Sequence, residues 1–395
     1  MKLFHCRKNR WFATAMALAV WHGGTALAQP AGQDAEQADR KALTELRKKV
    51  AAVDNSDLAA ARLQSIELYK EFIAAHPNIY PSVGIAATQG LVSLYQKAKL
   101  SEPALQALDA GLQKYATDAD AILLLNTKAS VLISDKKFGD AETMLRGLWE
   151  KSLQQANNDE AKLIVPYVTA LTQQGKTAEA ANVARKVLTE APMYLEAGQG
   201  ASERLFSCVV EHLLADQRDE EALGWAKLRF MTCAFSESAI ASATNLLSRV
   251  WMARDLAPTT AQAFIDAQKS AAAANPLTAV KLPEVSAEAR KAQLVSLAAA
   301  SQAGSRPAHD RISMHIQLGE LGAAMAAARR IMVAQPKSST GSLEICRVFK
   351  AADLNVKRAN AFLEYIKAGQ GVNPLVEFFQ QYPVSAPAGE PAPAP

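Results

Sequence analysis

Ser207 and Cys208 precede His212 by five and four residues, which puts a hydroxyl or thiol and an imidazole on one helix face. Such a pair could serve as nucleophile and general base if a third group oriented the imidazole and backbone N–H groups held an oxyanion. No third group or oxyanion site can be identified around it. His309-Asp310 with His315 is the nearest approach to a titratable cluster. No two histidines stand four apart, and neither His-Glu-x-x-His nor Cys-x-x-Cys occurs, so neither a metal nor a catalytic residue is expected. Gly84, Gly90 and Gly111 are scattered rather than gathered in a phosphate-cradling loop, and no cofactor is expected. A hydrolase acting on cell-wall or polysaccharide material would need paired acids facing one cavity. Glu203, Glu211 and Asp216 share one stretch but show no such arrangement.

Those residues sit in a chain with a strong helical rhythm. Ile164, Tyr167, Val168 and Leu171 fall at i, i+3, i+4 and i+7, one face of a helix. Gly175 is placed to end that helix in a left-handed conformation. Ala180, Ala184, Val187 and Leu188 form the apolar face of a second helix, which Pro192 stops. Val168 and Ala180 are twelve residues apart, so they should face each other across the antiparallel pair, where a small Ala permits close approach.

The frame recurs. Thr88, Leu91, Val92, Tyr95, Ala104, Leu108 and Gly111 keep the twelve-residue spacing between Val92 and Ala104. Leu125, Ala129, Leu132, Ala141, Leu145 and Leu148 form the next copy, with Phe138-Gly139 expected in its turn. Phe206, Val209, Val210, Leu213, Ala222 and Ala226 fit again, as do Ile312, His315, Gly319, Ala324, Ala328, Ile331 and Pro336. His315 holds a core position of its copy, so a packed histidine is expected there.

On these residues the chain resembles the tetratricopeptide repeats (TPR), hairpins of about 34 residues with small residues at matched points of both helices. Ile164 and Val168 stand where that family usually has an aromatic residue and Gly. The resemblance implies an all-α fold, an α-solenoid of stacked antiparallel hairpins in a right-handed superhelix, which binds proteins rather than catalyses. Further helices are expected over Ser56 to Pro77, Ser236 to Leu256, Thr259 to Ala274, Ser338 to Asp353, Val356 to Lys367 and Leu375 to Gln381. Alternating β-branched runs with Asn-Gly or Asp-Gly turns are missing, which argues against a sheet.

A solenoid's concave face is lined by the first helix of each hairpin. That places Gln89, Ser93, Gln96, Asn126, Thr127, Ser130, Thr169, Thr172, Gln173 and Glu211 along a groove. Amides and hydroxyls can pair with the main chain of an extended peptide. The same residue types are equally ordinary on solvated helix faces. The paired Lys/Asn clamp with which some TPR domains hold a C-terminal carboxylate has no counterpart on adjacent first helices.

The ends carry a different signal. Lys2, Arg7, Lys8 and Arg10, an apolar run from Phe12 through Val20, and Ala26-Leu27-Ala28 are the parts of a cleavable secretory leader over residues 1–28. The run is too short to span a membrane. Removing the four leader cations leaves 39 basic against 39 acidic residues, so the sequence pI of 8.7 belongs to the leader. Nucleic-acid binding, which needs a basic surface, loses its support. A periplasmic or secreted protein is expected, with repeats over 29–275, a linker over 276–284, further repeats over 285–382 and a mobile Ala/Pro-rich tail over 383–395. Its partner would be another envelope or secreted protein.

Of the four cysteines, Cys208, Cys233 and Cys346 follow the leader. Cys208 should lie midway along one helix and Cys233 past the end of the next, about 9 Å apart along the axis, too far for a disulfide. Buried thiols acting as small hydrophobes are expected. N-terminal sequencing of protein recovered from the envelope should begin at Gln29; an intact Met1 would sink the export argument.

Overall fold

The computed structural model describes residues 31–149, 163–190, 199–253, 257–269, 275–284, 287–300, 306–335 and 338–367. The expected leader, the helix near Leu375 and the Ala/Pro-rich tail lie outside the described residues, as do Pro192 and Pro336. Among the described residues the regular structure is helical throughout. The helices are α1 (Ala31–Ala51), α2 (Leu58–Ala75), α3 (Pro81–Lys97), α4 (Ser101–Lys114), α5 (Ala121–Ser134) and α6 (Phe138–Arg146). They continue as α7 (Ile164–Gln173), α8 (Thr177–Glu190), α9 (Gln199–Ala215), α10 (Asp219–Thr232), α11 (Glu237–Ala253) and α12 (Ala257–Lys269). The last are α13 (Ala287–Ala300), α14 (Arg306–Gln317), α15 (Leu321–Ala334), α16 (Ser339–Asp353) and α17 (Lys357–Lys367). Consecutive helices pack on one another from α1 to α12 and again from α13 to α17, the arrangement of an α-solenoid.

One turn, made five times, sets this arrangement. Lys99, Lys136, Gly175, Gln217 and Gly319 all have φ between 60° and 76°, the left-handed region. In each turn the next residue's N–H reaches back five positions: Leu100 to Tyr95, Lys137 to Leu132, Lys176 to Leu171, Arg218 to Leu213 and Glu320 to His315, at 2.8–3.0 Å. This is the Schellman closure of a helix C-terminus. The same residue then opens the second helix, its carbonyl accepting from an alanine four residues on: Ala104, Ala141, Ala180, Ala222 or Ala324. All five alanines are completely buried. The first four left-handed residues are 37, 39 and 42 positions apart.

Three details differ from expectation. Phe138-Gly139 do not form a turn; they open α6, and the reversal lies at Asp135–Lys137. Lysine at 136 gives no sign of its left-handed backbone, whereas Gly175 and Gly319 do. Asp57, not Ser56, caps α2, its carboxylate accepting from the N–H groups of Ala59 and Ala60, while Ser56 bonds Asp54. The polar start of α1 hides a helix whose Leu43 and Leu46 are buried, and whose Asp39 accepts from the N–H of Tyr80 at the head of α3.

The position of α10 was not foreseeable. Besides α9 and α11, it touches α14 and α16. Residues 276–284, the stretch expected to link two stacks, lie against it. Lys227 Nζ donates to Val280 O at 2.7 Å, and a Cβ on Gly224 would stand 2.6 Å from Lys281 O. Asn275 and Gln268 both donate to Leu354 O, at 2.8 and 3.0 Å. One apolar core consequently runs from Ala129 to Phe362. Trp251, bulky where the repeat frame expects a small residue, is buried with its ring 5.4 Å from Phe264. No described helix is long and apolar enough to cross a membrane.

The hairpin register has a direct test. Tyr167, Val168 and Ala180 are all buried, Ala180 completely. Ala180→Trp should cost at least about 1–3 kcal/mol and broaden the unfolding transition, since stability passes between neighbouring hairpins. Glu179 is exposed, and Glu179→Gln should stay within about 0.5 kcal/mol. An unchanged midpoint and cooperativity for the Trp variant in denaturant titration would refute the register.

Candidate functional site

The two sides of the stack are not equivalent. First helices pack side by side, α3 on α5, α5 on α7, α7 on α9 and α9 on α11. Among the described residues the second helices α4, α6, α8 and α10 form no such row. Helices that approach each other lie on the inside of a curve, so the first helices line the concave face.

The candidate groove residues are all on that row. Gln89 of α3 and Thr127 of α5 are brought together: Gln89 Nε2 donates to Thr127 Oγ1 at 3.2 Å and to Leu123 O at 3.4 Å. Ser93, Gln96, Ser130 and Gln173 are exposed, and Asn126, Thr169 and Thr172 are half-buried. Most hydroxyls already donate one turn back within their own helix. Thr127 bonds Leu123 O, Ser130 bonds Asn126 O, Thr169 bonds Val165 O and Thr172 bonds Val168 O, at 2.7–2.9 Å. Their protons are occupied, but their oxygens can still accept. The face is therefore matched to main-chain N–H groups, and donors to a ligand's carbonyls would come from the amides of Gln96, Asn126 and Gln173. Glu211 is tied across to Arg249 of α11 at 2.6 Å, an exposed pair.

A small cleft opens farther along, between α9 and α11. Glu203, Ser207, Ser242, Asn245 and Arg249 line it, with Arg229 of α10 below. Arg229 is buried, which pushes its pKa down, offset by Cys233 and Glu203 nearby. Of its lining, the sequence singles out Glu203 and Ser207 but not Arg229, Ser242, Asn245 or Arg249. Nothing in the apolar periodicity marks an arginine as buried.

The residues singled out for chemistry are dispersed. His212 Nε2 lies 3.4 Å from Asp216 Oδ2, just past the end of α9, while Ser207 faces the cleft. His315 is half-buried with Nδ1 2.8 Å from Glu320; burial pulls its pKa down against that carboxylate. His309 Nδ1 lies 2.9 Å from Glu344, which also meets Arg347 at 3.1 Å. Glu203, Glu211 and Asp216 do not converge on one cavity, the first facing the cleft and the others engaged by Arg249 and His212. Among the described residues no group of three His, Cys, Asp or Glu could hold a metal.

Cys208, Cys233 and Cys346 are free thiols. Burial raises the pKa of Cys208, and that of Cys346 to about 12, which suppresses thiolate reactivity. No family model matches this chain, and no curated protein does.

The groove's curvature depends on joints between hairpins, and one joint is ionic. Glu142 of α6 is buried, and it accepts from Lys176 and Gln174 in the turn after α7 and from Arg146 of its own helix. The Lys176 bond first, then those of Arg146 and Gln174, hold its pKa near 2 against an ordinary 4.5. A depressed carboxylate pKa stabilises the fold above the unfolded value and loses that contribution as pH falls through the folded one. Glu142→Gln should melt below wild type at neutral pH. The gap should close as pH falls from about 4.5 towards about 2; a constant gap across that window in thermal melts would remove the ion pairs from the explanation.

Proposed function

We propose that this chain is an exported, non-enzymatic, TPR-like scaffold that binds another envelope or secreted protein by holding an extended segment along its concave face. The observation that carries the reading is the continuous row of first helices, whose exposed groups are mostly hydroxyl acceptors and amides, with the Glu211–Arg249 pair towards one end. An extended peptide presents alternating N–H and C=O groups at strand spacing, and such a lining answers both without demanding a particular side chain. The reading assigns the chain to the periplasm or the exterior on the strength of the leader pattern. It assigns TPR character on five turns and five buried alanines in one frame.

Site-specific photo-crosslinking in the native envelope tests it. A photoreactive residue at Gln96, Ser130 or Gln173 should trap one and the same protein. The same probe at Asn182, exposed on second helix α8, should not. Trapping only at Asn182, or no adduct from any groove position, would overturn the groove reading.

A further inference from the structure

Helix α10 ends at Thr232, and Cys233 is its C-cap, with φ −60° and ψ 149°. The last carbonyls of a helix need donors from outside it. One comes from far along the chain. Lys350 of α16 sends Nζ to Phe230 O at 2.5 Å and Cys233 O at 2.7 Å, and the same nitrogen stands 2.8 Å from Cys233 Sγ. Lys350 and Cys233 are both completely buried.

Carbonyl capping alone accounts for two of these contacts, not the third. Sulfur is larger than oxygen and takes its partners at longer range. The other thiol contacts here show it: Cys233 to Phe230 O and Cys346 to Ala359 O at 3.4 Å, and Cys208 to Thr172 at 3.9 Å. The Lys350 nitrogen is closer to Cys233 than any of these. The surroundings also favour a neutral amine. Burial lowers the pKa of Lys350, and Arg347 and Arg229 nearby lower it further, against an upward pull from Cys233. A neutral amine has a free lone pair, and burial among cations is the known route to nucleophilic lysines.

We propose that oxidation joins Cys233 to Lys350 in a covalent S–O–N bridge that staples α10 to α16. Dioxygen is the oxidant. The thiol loses its S–H hydrogen and the amine one N–H hydrogen. One oxygen atom becomes bonded to both sulfur and nitrogen, and the other leaves with the two hydrogens as water. Sulfur and nitrogen each give up two electrons, and the four together reduce both oxygen atoms. One oxygen atom can span a gap of this size, whereas a direct S–N bond would require the two helices to move together. A thiol reductant in excess returns the four electrons and restores thiol, amine and water.

The bridge would close a loop of 117 residues and tie the C-terminal helices to the middle of the stack. A cross-link over so long a loop restricts the unfolded chain strongly. The air-exposed protein should therefore melt at a higher temperature than the reduced one. The groove plays no part in this, so the bridge and the groove reading stand or fall separately.

Peptide mapping by mass spectrometry decides it. The purified full chain is exposed to air or kept anaerobic with excess dithiothreitol, then digested in the presence of an alkylating reagent. The expected species joins the Cys233 and Lys350 peptides, heavier than their sum by one oxygen and lighter by two hydrogens. It should be absent from the reduced sample and from Cys233→Ser, and retained in Cys208→Ser and Cys346→Ser. Complete alkylation of Cys233 after air exposure would overturn the proposal. So would a sulfinic or sulfonic acid at Cys233 beside a free Lys350, a bridge to another lysine, or a mass deficit without added oxygen. The wild-type map alone is decisive should Cys233→Ser fail to fold.

Discussion

Each repeating hairpin depends on one completely buried alanine, a residue that contributes only a methyl group to the contact between its helices. Ala104, Ala141, Ala180, Ala222 and Ala324 stand at the same step after a left-handed turn, and each is completely buried. The turn fixes where the second helix starts, and the alanine fixes how closely it returns along the first. With both set, the apolar stripes of neighbouring hairpins meet in only one register. A solenoid then follows by addition, because each hairpin's remaining apolar face can be covered only by the next.

The chain departs from simple addition at α10. A helix in a solenoid ordinarily keeps one face in water, yet from Ala222 to Thr232 every residue of α10 is buried. The price is that Lys227, Arg229 and Lys350 lie in an apolar interior. Burying a polar group without a partner is costly, and the structure offsets it by giving Lys227 and Lys350 backbone carbonyls as partners. Those carbonyls belong to a helix end and to residues 275–284, so the two lysines also hold the chain where its rhythm is interrupted.

The concave face gains its character from a different economy of hydrogen bonds. Serine and threonine on the first helices give their protons to carbonyls one turn back, a habit that satisfies the hydroxyl without a neighbour. What they leave facing outward is acceptor capacity. Gln89, reaching from α3 to Thr127 of α5, shows that the same face also ties adjacent hairpins together. The polar lining is thus part of the joint between repeats as well as a surface.

Much of this was legible in the one-dimensional pattern. The period of 37 to 42 residues, the five small residues and the left-handed Gly175 are local properties, since helix periodicity and turn chemistry act over a few residues. The groove residues could be placed on first helices for the same reason. Lys99, Lys136 and Gln217 could not be recognised as left-handed, because only glycine advertises that conformation, and so the turn before α6 was misplaced at Phe138-Gly139. The polar opening of α1 hid a helix whose burial comes from α2 and α3. The return of α14 and α16 onto α10 was decided by tertiary structure alone. Lys350 and Cys233 are 117 residues apart, and no periodic signal relates residues at that distance. A repeat pattern specifies nearest neighbours; contacts between distant repeats follow only from how the whole stack curves.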